Sequence, residues 1–308
     1  MNTPSNALAE SALDPRPISA PAMSGTRPMY WSVRRELWEN RSLYIAPLAV
    51  AGVLLFGFLL STIGLPHRRR AILLLNPMQQ RAAIEKPYAM AAFMIMATMF
   101  IVGVFYCLDA LHGERRDRSI LFWKSLPVSD LTTVLSKALI PFAVLPLLAF
   151  AIIVATQVDM LLLSNAVLVT NGVPATTGLQ LPMFQQSLML LYGLATLALW
   201  HAPIYAWLLL VSAWARRATF LWAVLPFALI SILERMALGT SYFGSMLKYR
   251  LTGSMETAYA FDATGHLHFL KQLTPERFLS TPGLWVGLLF AAAFLAGAVR
   301  LRRDRGPI

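Results

Sequence analysis

Six long apolar runs, almost free of charge, limit what this chain can fold into. They cover about Tyr44–Ile63, Tyr88–Leu111, Val134–Thr156, Ser187–Trp214, Ala218–Leu233 and Pro282–Val299. At 1.5 Å per helical residue, about twenty residues cross the hydrocarbon of a bilayer. Backbone polar groups find no water there, so only helices or closed barrels span it. The runs are too long for barrel strands. The expected fold is therefore all-α, with six transmembrane helices. Composition agrees: 57% of residues are hydrophobic and 13% charged, against about a quarter charged in soluble domains. Pro203 is expected to kink the fourth span, and Pro226 to interrupt a short fifth one.

The net charge of +11 does not indicate nucleic acid. The basic residues sit at the ends of apolar runs, where topology requires them, and no finger pattern or compact basic domain is visible. Arg34, Arg35, Arg41, Arg115, Arg116, Arg118, Lys124, Arg216, Arg217, Arg300, Arg302, Arg303 and Arg305 fall on one side. The connection at about 157–186, on the other side, has no Lys or Arg. Both termini are thus expected in the cytoplasm of a multi-pass membrane protein. One connection disagrees: Arg68, Arg69, Arg70, Arg81 and Lys86 lie on the side assigned as outer.

Residues 1–28 are rich in Pro, Ser and Ala and read as a disordered cytoplasmic tail. The rest, 29–308, forms the membrane domain. Met29–Arg41 carries Tyr30, Val33, Leu37 and Trp38 at helical spacing, opposite Arg34, Arg35 and Glu39, which suits an interfacial helix. Between the fifth and sixth runs, Glu234–Thr281 is aromatic throughout, which predicts short outer helices.

The most informative stretch is Gly113–Lys137. Glu114, Arg115, Arg116, Asp117 and Arg118 stand beside an apolar core, Ile120-Leu121-Phe122-Trp123. Such a segment has two readings. It is either a basic loop held by the positive-inside rule or a docking helix whose apolar face fills a groove on a partner. Ser119 is placed to cap a short helix, Pro127 to end it, and Ser129 to cap the next.

Enzymatic motifs are missing. No Gly is followed by Lys, so the G-x-x-x-x-G-K-[ST] phosphate loop is absent. So are G-x-S-x-G, H-E-x-x-H and C-x-x-C. His266 and His268 supply two ligands at most, too few for a metal site. His201 in the fourth run, Asp109 near the end of the second and Glu234-Arg235 ending the fifth are ionisable groups at membrane depth. Each suits either helix packing or a substrate path.

In order and spacing, these pieces resemble the ABC-2 type permease subunits of bacterial ABC transporters. An Arg-Arg-Glu-Leu-Trp-Glu-Asn-Arg helix (34–41) precedes the first span. Glu114-Arg115 ends the second. Leu126-Pro127-Val128-Ser129 follows, and then Lys137. Phe278–Trp285 leads into the last span and Arg300-Leu301-Arg302-Arg303. Many members have an acidic residue, Gly and Thr where this chain has Asp117-Arg118-Ser119. The resemblance implies that the loop between spans two and three is a coupling helix, seated in a groove of a separate cytoplasmic ATP-binding subunit. Two permeases and two ATPases would form the transporter, surrounded by membrane lipid. ATP and Mg would sit in the partner, and this chain would hold no cofactor. Arg115, Arg116, Arg118 and Lys124 would meet acidic groups of the ATPase, while Phe122, Trp123 and Leu126 fill its groove. Other readings are a membrane anchor or sensor recruiting a cytoplasmic ATPase, and a lipid-modifying membrane enzyme.

Overall fold

A computed structural model describes residues 26–125, 128–176, 181–260 and 272–306. Its regular elements are helices, with one isolated antiparallel bridge between Tyr259 and Leu273. In chain order they are α1 (Thr26–Glu39), α2 (Ser42–Ser61), α3 (Leu65–Ile72), α4 (Pro77–Asp109), α5 (His112–Arg116) and α6 (Ile120–Ser125). Then come α7 (Asp130–Leu139), α8 (Leu145–Thr170), α9 (Met183–Trp214) and α10 (Thr219–Leu238). The last four are α11 (Tyr242–Thr252), α12 (Ser254–Ala258), α13 (Pro275–Ser280) and α14 (Pro282–Asp304). A 3-10 turn joins α2 to α3, and a π turn, Ile140–Val144, joins α7 to α8.

Six helical stretches are long and apolar enough to cross a bilayer: 42–72, 77–116, 130–170, Met183–Trp214, Thr219–Leu238 and Pro282–Asp304. The all-α class and the number of spans match the sequence reading, but several boundaries do not. The second stretch starts eleven residues before Tyr88, because Asn76 caps it: its side chain accepts from the Gln79 N–H at 2.8 Å, with Pro77 in the first turn. The third continues to Thr170, through what reads as a loop. Gln157, Met160, Ser164 and Leu168 recur at helical spacing there and are buried. Bilayer thickness bounds the apolar window, not the helix. Pro226 does not interrupt the fifth span, since α10 runs unbroken through it. α1 begins at Thr26, three residues before Met29.

The core lies between α4, α8 and α9. Ile95, Met99 and Cys107 meet Ile152, Ile153 and Leu209, all buried. α2 covers one side of this core, and α14 packs along α9. α10 stands at the edge, with only Ala223 buried.

Polar contacts sort the connections to two ends. At one end, Lys124 Nζ donates to the Arg303 carbonyl (3.2 Å), and Arg305 to that of Trp214 (2.6 Å). At the other end, Arg69 donates to Thr176 Oγ1 and Arg70 to the Asn171 carbonyl (3.3 Å).

Candidate functional site

The site is built where α4 ends. Ser212 Oγ of α9 accepts the backbone N–H groups of Leu111 (3.0 Å) and His112 (2.9 Å). These are donors that the break between α4 and α5 leaves free. Arg115, only 5% exposed, donates to the carbonyls of Ala213 (2.8 Å), Ala215 (3.4 Å) and Gly306 (3.3 Å). A cation at the C-terminus of α9 satisfies its last carbonyls and complements the helix dipole. Two α9 contacts therefore fix α5.

Beside them lies a buried set of charges. Lys137 Nζ of α7 bridges Glu36 of α1 (2.8 Å) and Glu114 of α5 (3.1 Å). Arg302 of α14 pairs with the other Glu114 oxygen and with Asp130 (3.1 Å). Arg35 reaches Glu36 (2.8 Å) and Glu114 (3.3 Å), and the Tyr106 hydroxyl donates to Glu36 (2.9 Å). Arg35, Lys137 and Arg302 thus face Glu36, Glu114 and Asp130, and Arg35 also reaches the half-exposed Glu39 at 3.5 Å. Burial raises the pKa of Glu36, but Lys137 and Arg35 together outweigh it and hold the carboxyl below its ordinary range. The network joins the N-terminal α1 and the C-terminal α14 to α4, α5 and α7 in between.

Of the apolar residues read on α1, Val33 and Leu37 pack against the core, while the aromatic pair does not. Tyr30 and Trp38 are exposed, and Arg34 stacks on Trp31 (5.2 Å) and Trp38 (4.7 Å). The face turned inward carries Val33, Glu36 and Leu37, because the Glu36 carboxylate has buried cations to meet.

α6 is different from α5. Leu121 and Phe122 are exposed, at 59% and 61%. Trp123 is half-buried: the Arg35 guanidinium lies 3.7 Å from its ring centroid, and Phe122 meets it edge to face. Arg116, Asp117 and Lys124 are exposed, and Arg116 pairs with Asp117 (3.1 Å) and Asp109 (3.7 Å). The Ser119 hydroxyl does not cap α6; it turns back to the Glu114 carbonyl at 3.4 Å. Ser129 does cap α7, accepting the Thr132 N–H at 3.1 Å. Leu126 and Pro127 lie outside the described residues.

Arg118 joins α5 to α6 at φ 59°, the left-handed region. A β-carbon there costs roughly 1–2 kcal/mol, partly offset by the larger unfolded-state entropy of glycine. Arg118→Gly is expected to raise stability by about 0.5–1 kcal/mol, read as the thermal midpoint of the detergent-solubilised protein. A lowered midpoint would show that the Arg118 side chain makes a stabilising contact.

The other candidates have structural partners. His201 Nδ1 lies 3.0 Å from the Leu197 carbonyl, and Nε2 3.2 Å from that of Leu251. Glu234 accepts from Thr240 Oγ1 (2.9 Å) and from the N–H groups of Tyr242 (2.6 Å) and Phe243 (2.9 Å), closing the turn into α11. An apolar cavity of about 40 Å³ sits against the π turn, with walls including Met99, Phe100, Pro141, Leu145 and Tyr205. Among the described residues, no three His, Cys, Asp or Glu side chains could hold a metal together. His266 and His268 lie outside them.

Sequence reasoning missed Glu36, Tyr106, Asp130 and Arg302. Lys137 offered a signal, as a lone cation several residues inside an apolar run. Comparison of the chain with family models, curated proteins and solved structures finds no match. The class that the fold itself defines is a multi-pass, all-helical membrane protein.

Proposed function

We propose that this chain is the membrane-spanning permease subunit of an ATP-driven exporter, working as a dimer with two copies of a separate cytoplasmic ATPase. One observation supports this most. α5 is held to α1, α7, α9 and α14 by buried polar contacts, while the adjoining α6 presents Leu121 and Phe122 to the outside. A push on α6 is thus delivered to several elements through contacts too costly to break. Arg116 and Lys124 are exposed as well, and Lys124 Nζ also donates to the Arg303 carbonyl at 3.2 Å. Glu114 and Arg115 serve the interior contacts, so they hold the segment rather than meet the partner. The second copy would sit on the exposed apolar side of α10 or α2, and lipid would cover the rest.

The test is co-purification of the ATPase at equal permease yield. Trp123 is already partly covered by Arg35, so Phe122 should lead. Burying one large apolar side chain is worth roughly 1.5–3 kcal/mol. Phe122→Ala is expected to weaken the complex roughly tenfold, and Lys124→Ala less, since solvated rim charges add little. Full retention of the partner by Phe122→Ala would refute α6 as the apolar anchor. An anchor or sensor would dock the same way, but only a transporter should show ATPase stimulation by a transported substrate. A lipid-modifying enzyme fits less well: His201 is bonded to carbonyls, and Asp109 faces Arg116.

Orientation has its own test. Both termini and α5–α6 are assigned to the cytoplasm, because Lys and Arg avoid 157–186. A membrane-impermeant thiol reagent applied to intact cells should label Asn171→Cys and spare Ser125→Cys. The reverse pattern would invert the topology.

A further inference from the structure

The arginines of the first connection are left unexplained by topology. Arg70 donates to the Asn171 carbonyl, and Arg69, buried at 5% exposure, to Thr176 Oγ1. These contacts place α3 at the same end as the Lys-free connection and away from Arg115. Arg68 turns back to the carbonyls of Ser61 and Gly64 (3.4 Å for the latter). The three guanidiniums therefore bond to carbonyls and a hydroxyl. The ion pair described in this stretch is a different one, Arg81–Glu85 at 2.9 Å.

The surroundings of these arginines are apolar and exposed. Ile63 is 83% exposed and Leu74 88%, and Met78 follows on the next helix. The turn between α3 and α4 is tied: Gln80 Nε2 donates to the carbonyls of Leu73 (3.0 Å) and Leu75 (2.8 Å). α2 is 20 residues long, so it spans the hydrocarbon, and α3 begins where headgroups lie. A fixed turn with cations in the headgroup layer and large apolar side chains beside them matches an anionic bilayer surface.

We propose that α3 and the turn after it, residues 62–78, form a docking surface for the anionic phospholipid headgroups of the leaflet at that end. Arg68 and Arg70 meet phosphates, Ile63 and Leu74 enter the acyl boundary, and Arg69 anchors α3 to the segment after α8. This needs only the six spanning helices and stands apart from the transport reading.

The experiment uses the full chain with Leu74→Cys carrying an environment-sensitive nitrobenzoxadiazole label. Cys107, the one native cysteine, is buried and will not react. The protein is reconstituted into phosphatidylcholine vesicles with increasing phosphatidylglycerol. A blue shift that saturates with phosphatidylglycerol and weakens at high salt is expected. Arg68→Gln with Arg70→Gln should raise the half-saturating fraction several-fold or abolish saturation up to pure phosphatidylglycerol. Because Arg68 also holds the Ser61 carbonyl, Arg70→Gln alone is measured too, and should give a smaller rise. An equal signal in pure phosphatidylcholine, insensitivity to salt, or unchanged variants would overturn the proposal. A response reproduced by inorganic phosphate in pure phosphatidylcholine would assign the site to a soluble anion and overturn the lipid assignment.

Discussion

Replacing Lys137 with methionine is expected to destabilise the protein by about 3–5 kcal/mol, the usual cost of removing one partner from a buried ion pair. Lys137 is 2% exposed and touches two carboxylates, Glu36 at 2.8 Å and Glu114 at 3.1 Å. Without the ammonium, these acids face each other in a water-poor interior. Arg35 still reaches both and Arg302 reaches Glu114, so the acids stay charged and under-compensated. The loss should appear in the thermal or denaturant midpoint of the purified protein. Arg116→Gln, which breaks only exposed pairs, should change it by less than about 1 kcal/mol. Adding Glu36→Gln to Lys137→Met should recover part of the loss, so the double variant costs less than the sum of the singles. Equal midpoints for Lys137→Met and wild type would mean that the network contributes nothing to stability. Additive costs would mean that Lys137 and Glu36 act separately. If the proposed function holds, Lys137→Met should also weaken ATPase retention, because α7 is released from α1 and α5 and only Arg35 still links those two.

The gross fold was legible because hydrophobic length is a local signal. A long apolar run nearly free of charge means a span wherever it occurs, and none of the six needed tertiary information. The ends of the helices were not legible in the same way. α8 runs on past the bilayer length because Met160 and Leu168 find neighbours, which no local rule reports. The candidate site was found as a stretch, but its division was hidden. Glu114 and Arg115 look like Arg116 and Asp117 in sequence, yet one pair is buried and the other exposed. What separates them is Lys137, Arg302 and the last carbonyls of α9, all distant along the chain. Trp123 shows the same limit. An aromatic residue on a charged segment reads as a docking anchor, and only the fold brings Arg35 over its ring. Arg118 marks a local conflict: its left-handed backbone suits glycine, yet the position carries a long basic side chain.

Substituting Gly287 with valine is expected to cost about 2–3 kcal/mol, by evicting a side chain rather than by disturbing α14 itself. The guanidinium of Arg250, from α11, lies directly against Gly287, and a Cβ built there would overlap it. Arg250 Nη1 also donates to the Gly283 carbonyl at 3.0 Å, one turn earlier on α14. Its Cζ lies 4.8 Å from the ring centroid of Trp200, which is fully buried. The missing side chain at Gly287 thus leaves room on α14 for a cation, where other helices use a small residue to admit a neighbouring backbone. A hydrogen bond from a charged donor is worth about 1.5–3 kcal/mol, and a desolvated cation–π contact up to about 2. Renewed hydration of the expelled guanidinium returns part of this, and the branched valine adds strain of its own. The mechanism is separable from simple overpacking. In an Arg250→Leu background there is no guanidinium to expel, so Gly287→Val should cost at least about 1 kcal/mol less than in wild type. The quantity to compare is the unfolding midpoint of four purified proteins: wild type, the two single variants and the double. Equal penalties in the two backgrounds would show that Gly287 serves helix packing alone and that Arg250 is a bystander. A smaller penalty in the Arg250→Leu background would identify this guanidinium as the bolt that fastens the connection between α10 and α14 to the spanning helices.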